Sequence, residues 1–205
     1  RIKVSVIVAA FNAEMFIGRC LRSLLNQSLN HNSYEIIVIN DGSIDKTKFI
    51  IEAFIDPNSS LIKFYRNRSN KGLPYSVNLG IKKAQGEYIV RVDSDDFVNK
   101  NFLNVLSLYL DTNPECHAIG CDYLLIDNEE KIIERIDCHV EPIACGIMFR
   151  KYTLLDIGLY DEKFKLHEDK DLRIRFLKKY CIDHIKIPLY RYRKHLNNIT
   201  NNKLK

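Results

Sequence analysis

The feature that most constrains this chain is an alternation repeated four times in its first half. A short apolar, β-rich run is followed by polar residues and then by apolar residues at helical spacing. Val4 to Ala10, Glu35 to Asn40, Leu61 to Tyr65 and Glu87 to Val92 are the strand-like runs. Ile17, Leu21, Leu24 and Leu25 mark the first helix, and Phe49, Ile50, Ala53 and Phe54 a second that begins near Asp45 or Thr47. Pro74 to Ala84 reads as a third, with Pro74 in the first turn, where its missing N–H costs little. Phe102, Leu103, Leu106 and Leu110 mark a fourth. Apolar runs of this kind are covered on both faces, and strands separated by helices pair in parallel through right-handed crossovers. Such sheets bind ligands beyond the carboxyl ends of their strands. The residues to inspect are therefore Phe11-Asn12, Asp41-Gly-Ser43 and Asp93-Ser-Asp-Asp96.

The second half breaks the pattern. Cys121 to Ile126 and Lys131 to Ile136 predict a hairpin, Ile143 to Arg150 a strand, and Tyr152 to Ile157 a short helix. Asp169 to Tyr180 predicts a helix, and Ile182 to Ile187 a last strand. No linker or repeat interrupts the 205 residues. The expectation is one α/β domain, with residues 1–100 as a parallel nucleotide-binding half and 101–205 as a mixed half.

Composition bounds the partners. A net charge of +5 is too small and too dispersed for nucleic acid, but suits an anionic small molecule. No run of about 18 apolar residues occurs, and no signal peptide is visible. The chain opens almost directly on a strand, so it is expected to start near the domain edge; an anchor or further domain beyond either end is left open. The six cysteines form no CxxC pair and read as reduced, mostly buried thiols of a cytosolic protein, with Cys20 on an apolar helix face.

Asp93-Ser-Asp95, with Asp96 behind it, follows a hydrophobic strand directly. Three carboxylates in four residues repel one another unless a cation or donors compensate. Magnesium or manganese, bridging protein and phosphate, suits them; a solvated acidic turn is the plainer alternative. Asp41 can accept from the base or ribose of a nucleotide, or cap a turn. Lys71 can meet phosphate at a helix start, or be an exposed loop lysine. Glu168-Asp169 opens a helix, where the dipole favours acids in any case; a carboxylate there can also take a proton from an attacking hydroxyl. Asp171 reads as a structural cap or salt-bridge residue. Arg191, Arg193 or His195, in a basic stretch after Pro188, can touch a diphosphate, His195 can add a metal ligand, and a solvated basic tail is the alternative.

Taken in order, Val4-Ser-Val-Ile-Val-Ala-Ala-Phe-Asn12, Val38-Ile-Asn-Asp-Gly-Ser43, Gly86-Glu-Tyr-Ile-Val-Arg-Val-Asp-Ser-Asp-Asp96, His167-Glu-Asp-Lys-Asp-Leu172 and Leu189-Tyr-Arg-Tyr-Arg-Lys-His195 resemble the family 2 glycosyltransferases. The resemblance spans almost the whole chain. It implies the GT-A fold, a single Rossmann-like domain with a mainly parallel sheet and a mixed acceptor-binding half. It implies an inverting hexosyltransferase or N-acetylhexosaminyltransferase that uses a divalent metal and moves a sugar from a nucleotide-sugar, a UDP-sugar first, to a hydroxyl of a glycan or lipid-linked acceptor. Ala9, Phe11 and Asp41 would line the nucleotide pocket. Asp93, with Ser94 and Lys71, would border the rest of the donor, Asp93 near the ribose or helping to hold the metal. Asp95 would be the main metal ligand and Asp169 the base, with Glu168 beside it in the acceptor site. Arg191 and His195 would close over diphosphate and metal. Two departures stand out: Phe11 replaces a frequent tyrosine, losing a phenol hydrogen bond, and Ser76-Val-Asn78 replaces a common Ala-Arg-Asn, so the third helix is left out of the catalytic set.

Richness in Ile, Asn and Lys points to an AT-rich bacterial genome, and surface polysaccharide synthesis is the expected setting. The expected location is cytoplasmic, with peripheral contact at the inner face of the plasma membrane and a homo-oligomer both left open. Two rivals remain at this point. A nucleotidyltransferase would have a Gly-rich phosphate loop, which Phe11-Asn-Ala-Glu14 lacks, and would release pyrophosphate. A non-catalytic nucleotide-binding scaffold would have no need to keep Asp93, Asp95 and Asp169 together.

Overall fold

A computed structural model describes residues 1–164 and 166–194. Its strands are β1 (Val4–Ala10), β2 (Tyr34–Asn40), β3 (Ile62–Arg66), β4 (Tyr88–Arg91), β5 (Phe97–Val98), β6 (Ala118–Ile126), β7 (Ile132–Ile136), β8 (Ile147–Arg150) and β9 (Ile182–Arg193). The helices are α1 (Ile17–Leu25), α2 (Thr47–Glu52), α3 (Leu73–Lys83), α4 (Phe102–Thr112), α5 (Lys151–Asp156) and α6 (Glu168–Leu177). Among the described residues one nine-stranded sheet runs β3-β2-β1-β4-β8-β6-β9-β5, with β7 beside β6. β3, β2, β1 and β4 are parallel, in the register Ala10 to Asn40 and Ile7 to Arg91. β8 is antiparallel to both β4 and β6, so the sheet changes character at the β4–β8 junction. The result is the expected α/β architecture, parallel on one side and mixed on the other.

The strands lie between two apolar layers. In β1, Val4, Val6, Val8 and Ala10 pack in one layer with α1 and α4, while Ile7 packs in the other with α3. Period-2 alternation sends neighbouring side chains to opposite faces, so a strand apolar at nearly every position is the signature of a sheet covered twice.

The second half departs from expectation in three places. The strand predicted from Ile143 begins only at Ile147, because Gly146 stands at φ +75°, outside extended geometry. The last strand continues through Pro188 to Arg193, with register shifts between Cys121 and Tyr123 of its partner β6. The segment 188–193 is thus paired sheet rather than a solvated tail. β5, two residues long, pairs antiparallel with β9 and has no sequence signature. No helix among the described residues is long and apolar enough to cross a membrane.

Candidate active site

The parallel order β2-β1-β4 places three loops side by side at the carboxyl edge: Phe11-Asn12 after β1, Asp41-Gly-Ser43 after β2 and Asp93 to Asp96 after β4. The first two are sewn together. The Asn12 amide donates to Ser43 Oγ at 3.0 Å and the Ile44 amide to Asn12 Oδ1 at 3.0 Å. Ala9 is half-buried at the end of β1, and Phe11 is 48% exposed, its ring available for stacking.

Asp41 is buried, and neutral donors hold it. Its Oδ1 accepts from Asn67 Nδ2 at 2.7 Å and the Lys71 amide at 2.9 Å; its Oδ2 accepts from the Gly72 amide at 2.9 Å. The carboxylate thereby fixes the loop before α3 across the end of β2. Gly42 lets that loop approach: it stands at φ +75°, and a Cβ there would lie 2.5 Å from the Ser69 carbonyl carbon. Lys71 joins this rim through its backbone, and its side chain is exposed.

The acidic loop after β4 is built differently. Arg91, on the last residue of β4 and 7% exposed, grips Asp93 with two contacts, Nε to Oδ1 at 2.7 Å and a terminal nitrogen to Oδ2 at 3.2 Å. Its other terminal nitrogen reaches Glu168 Oε1 at 3.2 Å, 77 residues away. Burial alone would lower the Arg91 pKa, but the charges of Asp93 and Glu168 hold it well above the ordinary arginine value. Asp96 points inward. Its Oδ2 accepts from the Tyr190 hydroxyl at 2.8 Å and its Oδ1 from the Arg193 amide at 2.7 Å. The same hydroxyl accepts from the Asp93 amide at 3.1 Å. Burial, then the nearby charges of Asp95 and Asp93, push the Asp96 carboxyl well above the usual range. Ser94 and Asp95 are partly exposed beyond this anchor, and Arg193 Nε donates to the Asp95 carbonyl at 2.9 Å.

Glu168 and Asp169 open α6 behind His167, which stands at φ +64°. Glu168 is buried and tied to Arg91; Asp169 is next in the chain and less buried. Asp171 pairs with Arg175 one turn later at 2.7 Å, the salt-bridge role read from the sequence. Asn78, on the face of α3, clamps the segment leading to α6: it donates to the Tyr160 carbonyl at 2.8 Å and to Glu162 Oε1 at 2.9 Å, and accepts from the Tyr160 amide at 3.0 Å.

The structure thus brings Asp93, Ser94 and Asp95 and the Glu168-Asp169 pair to one junction, with Ala9, Phe11, Asp41 and Lys71 on the neighbouring strand ends. It turns Arg191 elsewhere: its guanidinium donates to the Pro188 carbonyl at 2.7 Å. His195 lies outside the described residues. Sequence reasoning overlooked Arg91 and Tyr190 and underrated Asp96. The one available signal was a charged residue inside the apolar run Tyr88-Ile-Val-Arg-Val92. Arg193 is buried as a clamp, its guanidinium donating to the Asp127 and Asn128 carbonyls at 3.1 Å and lying over the ring of Phe16.

Known proteins share this fold. Residues 5–163 match the family described as Glycosyl transferase family 2. An uncharacterized glycosyltransferase of Haemophilus influenzae is 36% identical over 154 residues, 75% of this chain and 42% of that protein. The chain spans less than half the length of that relative. Staphylococcus aureus TarS residues 1–349, solved with UDP-GlcNAc, superpose with a TM-score of 0.85 at 23% identity over 100% of this chain and 62% of that one. The Pyrobaculum calidifontis mannosyltransferase PcManGT, solved with GDP-Man and Mn2+, gives a TM-score of 0.75 at 17% identity over 94% and 57%. These two likenesses extend the match from sequence to fold, and the family match covers most of the strand-end loops described above: the chain belongs to glycosyl transferase family 2.

Proposed function

We propose that this chain transfers a sugar from a nucleotide-sugar, a UDP-sugar first, to a hydroxyl of a glycan or lipid-linked acceptor in bacterial surface polysaccharide synthesis, with inversion at the anomeric carbon. The observation that carries the reading is the Arg91 bridge, which ties the acidic loop after β4 to the first residue of α6. A donor-side carboxylate and the residue that precedes the candidate base are held by one buried cation.

The acidic loop fits a hard divalent cation. Its carboxylates are oxygen donors, and the charges of Asp95 and Asp93 are crowded enough to help push Asp96 towards its neutral form. Asp95 would hold manganese or magnesium, with the remaining lone pairs of Asp93 beside it; when bound, the ion supplies positive charge for the leaving diphosphate. Phe11 offers a ring face to the base. Asp41, its charge already fixed by three N–H donors, offers its free lone pairs to the base. Asp169 takes the proton of the attacking hydroxyl, and Glu168, held by Arg91, fixes the helix end that carries it. Holding donor and acceptor in one cleft removes the entropic cost of their encounter.

The test is thermal stability against UDP, GDP, CDP and TDP, each with and without manganese. A ligand at about 100 times its Kd adds roughly 2.7 kcal/mol, a shift of several degrees in a domain of this size. The expected result is a shift with one nucleotide, dependent on manganese and lost in Asp95→Ala. Asp169→Asn should keep that shift and lose transfer by roughly 10²–10⁴-fold. Transfer at the wild-type rate in Asp169→Asn removes Asp169 as the base, and no shift with any nucleotide in the folded chain removes the donor site.

A further inference from the structure

A cavity of about 210 Å³ opens on the α6 side of the mixed sheet, beyond the acidic loop. Its floor is Gly120, Ile147 and His184, its wall Arg173 of α6, and its roof the segment carrying Cys138 and His139. Gly120 makes the space: a Cβ there would lie 3.3 Å from Cys138 Sγ. A smaller hollow, lined by Asp169, shares Ile143, Ile147, Arg173 and Ile182 with it, so the cavity adjoins the hollow that borders the candidate base. Arg173 follows Asp169 by four residues, which on a helix is one turn, about 6 Å along the axis.

Burial weighs on Arg173 more than the charge facing it offsets: desolvation lowers its pKa, although Asp169, one turn earlier on α6, favours its cation. Arg173 is half-buried and makes no ion pair among the described residues; its one hydrogen bond there goes to the Ile143 carbonyl at 3.4 Å. The other acidic groups nearby are occupied. Asp122 is held by Arg135 at 2.7 Å and by His184 Nε2 at 2.7 Å. Asp137 lies 3.7 Å from the same imidazole, and Asp183 accepts from Tyr109 at 3.0 Å. His139 stacks on His184, with ring centroids 6.2 Å apart. Burying part of a guanidinium with no contacting ion-pair partner is costly, whereas a bound oxyanion would supply one.

We propose that this cavity is an acceptor subsite for an oxyanion, a phosphate ester or a sugar carboxylate, carried about one unit from the attacking hydroxyl and paired with Arg173. The inference deepens the glycosyltransferase reading, and rests on it for the word acceptor. A metal is the less favoured occupant of the Asp122, Cys138 and His184 cluster: both Asp122 oxygens are engaged, and burial pushes the Cys138 thiol up to about 12.

The test titrates the chain, with UDP and manganese saturating, against glycerol 3-phosphate, glucuronate, inorganic phosphate and plain glycerol, following the melting temperature. Saturable stabilisation by the phosphate ester or the carboxylate, but not by glycerol, is expected; the stronger of the two names the class, and equal strength of inorganic phosphate shows that the bare anion suffices. Arg173→Ala should weaken that binding roughly tenfold or more, and Arg173→Lys should restore part of it. Equal binding by wild type and Arg173→Ala overturns the proposal. So does stoichiometric zinc binding lost in both Cys138→Ser and His184→Ala. The nucleotide shift is a separate readout: its absence with UDP, GDP, CDP and TDP alike removes the donor site, while the comparison of Arg173 variants still decides the cavity.

Discussion

Two carboxylates at the edge of the same sheet are held in opposite ways. Asp41, after β2, is buried and meets only neutral N–H groups from the loop before α3. Asp93, after β4, is more exposed and is gripped by a buried arginine that also holds Glu168. The first is preorganised by a loop that belongs to its own half of the chain. The second is a cross-link between halves. Oriented amides stabilise charge without a counter-ion and leave an anion's other lone pairs available. A shared cation instead makes the position of one acid depend on the other.

The sharpest way to break this contrast is Arg91→Met. It leaves Glu168 buried and Asp93 unpaired, and removal of one partner of a buried ion pair costs about 3–5 kcal/mol. Urea unfolding should register that loss, and transfer activity should fall further than stability alone explains, because the start of α6 is released. A variant as stable as wild type would show that the bridge holds nothing in place. Gly42→Ala comes next. Its Cβ would meet the Ser69 backbone at a positive φ, and strain of this kind costs about 1–3 kcal/mol, with UDP binding weakened as the loop moves. Asp41→Asn should cost less still, about 1–2 kcal/mol, because an amide cannot accept from all three donors at once. If Asp41→Asn destabilises as much as Arg91→Met, the distinction between amide-held and cation-held acids fails.

The smallest effect is a pH effect, and it extends the contrast to a third acid. Burial would raise the pKa of Glu35, but Lys63, Ser5 and the Gln85 amide outweigh it and hold the carboxyl below its usual value. A carboxyl lowered on folding stabilises the fold above its unfolded pKa, and that contribution is lost as pH falls through the folded pKa. Between pH 7 and pH 3, wild type should therefore lose more stability than Glu35→Gln. Parallel curves for the two proteins would show that Glu35 contributes nothing.

Much of the parallel half was legible beforehand. The four strand–helix repeats, the three loops at their ends and the acidic start of α6 all follow from residues near one another in the chain, because the periods of helix and strand are local properties. The hairpin of β6 and β7 was legible for the same reason. The rest lacked a local signal. β5 is two residues whose strand character comes from pairing with β9. Tyr190 and Arg193 support Asp96 across 94 and 97 residues. Arg191 sits one position from Tyr190, yet donates to the carbonyl of Pro188, since alternation along a strand sends adjacent side chains to opposite faces.

The sequence by itself determined the α/β class, the succession of strands and helices that carries the strand-end loops and the chemical types in those loops, because hydrophobic period and turn residues act over a few positions. Only the tertiary structure decided which acids share Arg91, which one is driven towards neutrality, and that Arg173 faces a cavity with no ion-pair partner among the described residues. Those outcomes depend on burial and on distances between residues far apart in the chain, and electrostatic energies are set by both.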